Sequence, residues 1–220
     1  VGSLTDYMAF APDYTDNKTG MTAAEQLSRI FQAAAPMYEA RDRAYDNLMS
    51  LLRQHGVSHL RMADLDKEDR QTAERYFKTA VLPVLSPQII DPRHPFPHLN
   101  NKHLTIAASL EHNGRKLLGL IPLPPLVDRV VFLPGEGVRF LLAEDIICAY
   151  ADKIFQIYKV TDTAVICVTR NADLDTDAGF FDEDLDYRQY MSNMLKKRRR
   201  VTPVRLESQG RLSGSSVDFL

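Results

Sequence analysis

The stretch His103-Leu104-Thr105-Ile106-Ala107-Ala108-Ser109-Leu110-Glu111-His112-Asn113-Gly114-Arg115-Lys116-Leu117-Leu118-Gly119-Leu120-Ile121-Pro122-Leu123 decides the fold class. Two β-rich runs, HLTIAASLE and KLLGLIPL, flank an Asn-Gly pair. Asn-Gly supplies the two left-handed backbone positions of a tight type I′ turn, so this spacing predicts a β-hairpin. The alternation in HLTIAASLE predicts a strand with one buried face.

Downstream the pattern continues. VVFL and VRFLLA flank Pro134-Gly135-Glu136-Gly137 and read as a second strand pair. Ala143 to Phe155 reads as an amphipathic helix with Ile146, Ile147, Tyr150 and Ile154 inward. Lys159 to Arg170 is rich in Val, Ile and Thr and reads as a strand. Phe181 to Arg199 reads as a helix, and VTPVRLES as a closing strand. The acidic run Asp173 to Asp186 reads as a solvated loop and a favourable first helical turn.

Upstream the character is helical. Thr22 and Glu25 form a capping box, in which each side chain satisfies the other's backbone amide. Leu27, Ile30, Phe31, Ala34, Tyr38, Tyr45, Leu48, Leu51 and Leu52 then recur mostly at three- and four-residue spacing. Pro36 should bend or split this helix, and Gly56 should stop it. A second helix is expected from Asp66 toward Pro83, carrying Ala73, Tyr76, Phe77 and Val81. Residues 1–9 read as the remainder of a further helix. The expected fold class is α+β: a helical bundle remnant, then an antiparallel or mixed sheet with packed helices. The expected domains are 1–60 and 61–220.

Between the two regions lies Asp91-Pro92-Arg93-His94-Pro95-Phe96-Pro97-His98-Leu99-Asn100-Asn101-Lys102. It reads either as a site loop that aims His94 or Lys102 at a phosphate, or as a stiff connector. Pro95 and Pro97 forbid a regular helix, so His94 and His98 do not share a helical face and a two-histidine metal site is disfavoured. The prolines favour an extended, polyproline-like path.

The 220 residues carry a net charge of −2, with 45% hydrophobic and 25% charged residues. A chain of this size can bury roughly 70% of its unfolded surface. Its near-neutral charge gives no nucleic-acid footprint overall, so any basic site is local. Cys148 and Cys167 sit in apolar runs and read as buried reduced thiols. No run is long and apolar enough for a spanning helix, and no signal peptide opens the chain, so a reducing cytoplasm is the simplest compartment. Both ends read as cut from something longer.

Walker A, GxGxxG, HExxH and GxSxG patterns do not occur in the sequence, nor do His, Cys, Asp and Glu at metal-ligand spacing. Arg170 ends a predicted strand and is placed either to fork onto a phosphate or to pair with a carboxylate such as Asp173. Lys196, Lys197, Arg198, Arg199 and Arg200 follow a predicted helix. They serve either as cations at its C-terminal end or as a polyanion surface with salt-sensitive binding.

Four stretches then carry a family resemblance: RYFKTAVLPVLSPQIIDPRHPFPHLNNKHLTIA, FLLAEDII, VTRNADLD and KKRRRVTPVRLES. Together, in order and over nearly the whole chain, they resemble the histidine-phosphorylating polyphosphate kinase family. The resemblance implies the end of an N-terminal helical domain followed by a middle "head" domain. It implies a parent enzyme that moves the terminal phosphate of ATP through a phosphohistidine onto polyphosphate, with Mg²⁺. It also implies that the reactive histidines and phosphate-gripping arginines lie in C-terminal phospholipase-D-like domains outside this chain. No catalytic residue therefore carries over, and no cofactor belongs to this portion. The expected partners are those C-terminal domains, a second copy in a homo-oligomer, and polyphosphate; membrane association is expected only through the parent protein. In this light DPRHPFPHLNNK resembles the link into the head-domain sheet.

Overall fold

The computed structural model describes residues 1–91, 96–170, 203–209 and 219. It comprises α1 (Gly2–Phe10), α2 (Ala23–Gln54), β1 (Val57–His59), α3 (Lys67–Tyr76), β2 (Gln88–Ile90), β3 (Leu104–His112), β4 (Arg115–Pro122), β5 (Val130–Leu133), β6 (Val138–Leu142), α4 (Ala143–Ala149), α5 (Ala151–Ile154), β7 (Lys159–Arg170) and β8 (Pro203–Gln209). This is the expected α+β architecture. The predicted helix over Phe181–Arg199 lies outside the described residues.

The chain divides into two compact units, one of residues 1–41 and 168–206, the other of residues 42–167 and 207–220. In the first unit the helices are set by local chemistry. Thr22 N–H donates to Glu25 Oε2 at 2.8 Å, while Glu25 N–H donates to Thr22 Oγ1 at 3.3 Å, completing the capping box at the start of α2. Asp16 accepts from both the backbone and the hydroxyl of Thr19, which closes the turn before it. Tyr7 and Tyr14 stack with ring centroids 5.2 Å apart. Pro36 does not split α2, which runs as one 32-residue helix. Gly56, at φ +76°, ends the run as expected.

The second unit holds most of the strands, while β7 ends and β8 begins in residues of the first. Five strands lie in the order β2-β4-β3-β7-β8, and three more in the order β1-β6-β5. The Asn113-Gly114 turn is made as predicted, with φ +50° and +74°, and His112 faces Arg115 across it. The strands at 130–133 and 138–142 pair as expected, but in a sheet of their own. Its third member, β1, was not anticipated: it pairs in parallel with β6, Val57 opposite Val138.

β3 departs from the half-buried alternation expected of it. Thr105 through Leu110 are all buried, because β3 is paired on both edges and covered on both faces. Ile106, Ala108 and Leu110 face a core built with Phe77 and Val81 behind α3, Leu133 of β5, Leu141 of β6, and Ile146 and Ile147 of α4. Gly119 of β4 makes room for the same core: a Cβ there would lie 2.5 Å from Phe155 Cζ.

Two helices break earlier than their periodicity predicts. α3 starts on Asp66, whose carboxylate accepts the Asp69 amide at 2.8 Å. After Tyr76 the turn widens into a single π turn, in which Leu82 N–H donates to Phe77 O. Pro83 follows, with no N–H to give and a ring that would strike the carbonyl four residues back, so the widened turn relieves both. The helix expected over 143–155 divides at Tyr150 into α4 and α5, with Ile146 and Ile147 buried and Tyr150 and Ile154 only partly so.

Candidate functional site

Of the residues singled out in sequence, His94 and Lys196, Lys197, Arg198, Arg199 and Arg200 lie outside the described residues. Lys102 is exposed on the loop before β3 and holds a left-handed backbone, φ +56°. Such a conformation is uncommon for a side-chain-bearing residue. Arg170 is the last residue of β7, in the first unit. It is half-buried, burial draws its pKa below the ordinary arginine value, and it has an interaction partner of its own. Lys102 belongs to the second unit. Neither Cys148 nor Cys167 is in a disulfide, and each is partly buried; burial pushes Cys148 up to about 11, far from a reactive thiolate.

One polar cluster of the second unit was not singled out in sequence. Tyr45 of α2 and His59 of β1 share a hydrogen bond of 2.7 Å between Oη and Nδ1. The His59 ring lies flat on Phe140 of β6, centroids 5.0 Å apart. Its Nε2 is buried without a hydrogen bond, 3.9 Å from Asp145 Oδ2 of α4. Burial, then the neighbouring Glu144 charge, raise the Asp145 carboxyl, while His59 and Arg61 act against them. Next to it, Glu144 is almost wholly buried and takes both Nε and Nη2 of Arg129 on one oxygen, at 2.8 and 2.7 Å. The adjoining cavity, about 440 Å³, carries Arg53 and Arg61 but also Asp46 and Asp64. With two cations set against two carboxylates it has no strong preference for an anion. Chemically this cluster is a pin that fastens the C-terminal half of α2 to β1, β6 and α4. His59 stands in a three-residue strand and Asp145 86 residues later, so no local pattern could have joined them.

A second ion pair on a buried carboxylate fixes α3. Arg139 of β6 donates through Nη1 to Asp69 Oδ1 at 3.1 Å and to the Pro134 carbonyl at 2.7 Å, and its Nη2 meets Asp69 Oδ2. Asp69 is buried, so the pair satisfies a carboxylate that would otherwise be stranded.

Among the described residues no group of three or more His, Cys, Asp or Glu side chains is placed to hold a metal ion. No helix among them is long and apolar enough to cross a membrane.

A family model described as the polyphosphate kinase middle domain matches residues 68–220. The chain belongs to the polyphosphate kinase family. A polyphosphate kinase of Bacillus anthracis is 35% identical over 216 residues, covering 94% of this chain and 30% of the relative. One of Halalkalibacterium halodurans is 31% identical, covering 99% of this chain and 31% of the relative. The chain thus spans about 30% of the length of the curated polyphosphate kinases it matches. The crystal structure of the polyphosphate kinase from Porphyromonas gingivalis superposes with a TM-score of 0.63 at 20% identity, covering 99% of this chain and 31% of that one. At that identity it supports the fold.

Proposed function

We propose that this chain is the non-catalytic, domain-orienting portion of an ATP:polyphosphate phosphotransferase, with residues 1–60 ending a helical N-terminal domain and 61–220 forming the head domain. The observation that carries this reading is the match of the middle-domain model to 68–220 in a chain that spans about 30% of the related kinases. ATP and Mg²⁺ serve the parent enzyme through C-terminal domains of the same protein. Transfer of this kind rests on positioning and on cations that spread the phosphoryl charge. The pin at His59 and the Arg139–Asp69 pair supply rigidity to such positioning rather than a reacting atom. The setting is the cytoplasm, with membrane association only through the parent protein, and the head domain contributes to a homo-oligomer. Two measurements test this. Size-exclusion chromatography with light scattering reads self-association; a strictly monomeric species at all concentrations removes the oligomer role. An ATP and polyphosphate turnover assay on the chain is expected to read zero, and sustained turnover overturns the non-catalytic role.

A second reading, a polyanion-binding surface, is favoured by the exposed, left-handed Lys102 and by the run of five cations. Its contacts are Lys102, His94, Arg170, Lys196, Lys197, Arg198, Arg199 and Arg200. Titration with polyphosphate at two salt concentrations tests it: affinity should fall steeply with salt, and undetectable binding at low salt discards it.

A further inference from the structure

The pin at His59 contains one buried atom that its neighbours leave unsatisfied. Nε2 makes no hydrogen bond among the described residues, and Asp145 Oδ2 stands 3.9 Å away. Only 15% of the His59 side chain is exposed. A buried donor or acceptor without a partner is rare in a folded protein.

The other contacts of the ring fix what can change. β6 supplies the face of Phe140, centroids 5.0 Å apart and planes within 1° of parallel, so the ring cannot swing without losing that contact. α2 supplies Tyr45, whose hydroxyl meets Nδ1 at 2.7 Å. A hydroxyl donates or accepts, whereas an ionised carboxylate only accepts. With the ring neutral, the carboxylate favours the proton on Nε2, and Tyr45 donates to Nδ1. The Nε2–H then faces Asp145 across a gap too wide for a hydrogen bond. With the ring protonated, Nδ1 donates to Tyr45 Oη, and the hydroxyl hydrogen turns to solvent, which Tyr45 reaches at 44% exposure. Nε2–H becomes a charged donor, and the added charge supplies the attraction that draws the Asp145 carboxylate in.

The surrounding charges are balanced. α2 brings Asp46 and Arg53, and the segment after β1 brings Arg61 and Asp64. On α4, Glu144 is taken up by Arg129. Burial and then Glu144 raise the Asp145 carboxyl, against the pull of His59, Arg61 and Arg129. The charge left to be settled is that of the His59 ring itself.

We propose that His59 and Asp145 form a proton-operated latch: one proton taken up on the ring closes the gap between them and tightens the C-terminal half of α2, through Tyr45, onto β1 and α4. Protonation strengthens contacts made only in the folded chain. The stabilisation is therefore present at low pH and is lost as pH rises through the range in which histidine titrates. Tyr45, His59 and Asp145 all belong to the second unit, and the latch does not depend on the proposed function.

Hydrogen exchange of the chain at about pH 5.5 and about pH 8, on either side of that range, tests it, with each rate divided by its intrinsic value. Relative to the amides of β3, those of residues 45–54 should be protected roughly threefold or more better at the lower pH. Asp145→Asn keeps the size of the side chain and removes its charge; His59→Gln keeps a polar group that does not titrate. Each should abolish the pH difference. In the parent chain, which needs no variant to fold, the nitrogen resonances of the His59 ring and the α2 exchange ratio should change with one shared midpoint. An α2 exchange ratio that is indifferent to pH overturns the proposal. So does a difference that survives either substitution, or a midpoint that the ring does not share.

Discussion

In the unit of residues 42–167 and 207–220, Phe77, Ile106, Leu110, Ile121, Leu141, Ile146 and Ile147 are shut away from water in one continuous cluster. In the described part of the other unit only Ala23, Leu27 and Val168 are buried, while Phe10, Phe31 and Met37 stand exposed. The two are held by different physics. The second unit rests on hydrophobic burial between segments far apart in sequence, reinforced by two ion pairs that each hold a buried carboxylate. The described part of the first rests on devices that span three to five residues: a capping box, an aspartate-closed turn, a tyrosine stack. Burial between distant segments is cooperative, whereas local devices act one at a time.

Substitution at the centre of each unit sharpens this contrast most. Phe77→Ala, at a wholly buried position, should cost ~3–5 kcal/mol in urea unfolding followed by circular dichroism. Phe31→Ala, at a residue 47% exposed, should cost under ~1 kcal/mol. Equal costs would break the comparison. Next in size is Arg139→Ala, which leaves the Asp69 carboxylate buried and unpaired and should cost ~3 kcal/mol. Replacing both partners by leucine should recover most of that loss, and a double-mutant cycle reads the difference.

Thr22→Ala removes the cap of α2 and should cost ~1 kcal/mol. The loss should appear as ellipticity at 222 nm, with hydrogen exchange around Phe77 unchanged; slower or faster exchange there would show the units to be coupled. The smallest effect is set by pH. The Lys153 hydrogen bond, and after it Lys78, hold the partly exposed Glu74 carboxyl down at about 2 from an ordinary 4.5. A depressed carboxylate contributes stability above its unfolded value that is lost as pH falls through its folded one. The stabilising contribution should therefore be complete above pH 4.5 and fade toward pH 2, small because solvent screens it. Lys153→Met should flatten that part of the acid-unfolding curve.

The same contrast explains what could be read from the sequence. The capping box, the Asp66 cap, the Asn113-Gly114 hairpin and the strand over Lys159–Arg170 are each written in neighbouring residues, and each is present. β1 and β2 escaped because three residues carry no periodicity, and β1 finds its partner about eighty positions onward, at Val138. The continuous burial of β3 depends on neighbours on both sides, which alternation alone does not reveal. The π turn after Tyr76 follows from Pro83, but propensity reads that proline only as a stop. The site was less legible than the fold. His59, Asp145 and Tyr45 meet only after α2, β1 and α4 have packed. The family resemblance, by contrast, rested on long contiguous stretches and is matched over residues 68–220.

The central claim is that this chain positions a phosphotransferase without carrying its nucleophile. Incubation of the chain with ATP labelled at the γ-phosphate, followed by alkaline gel separation and mass-spectrometric mapping, tests it most directly. The account predicts no acid-labile phosphate on any of the six histidines; stoichiometric label on one of them would contradict it.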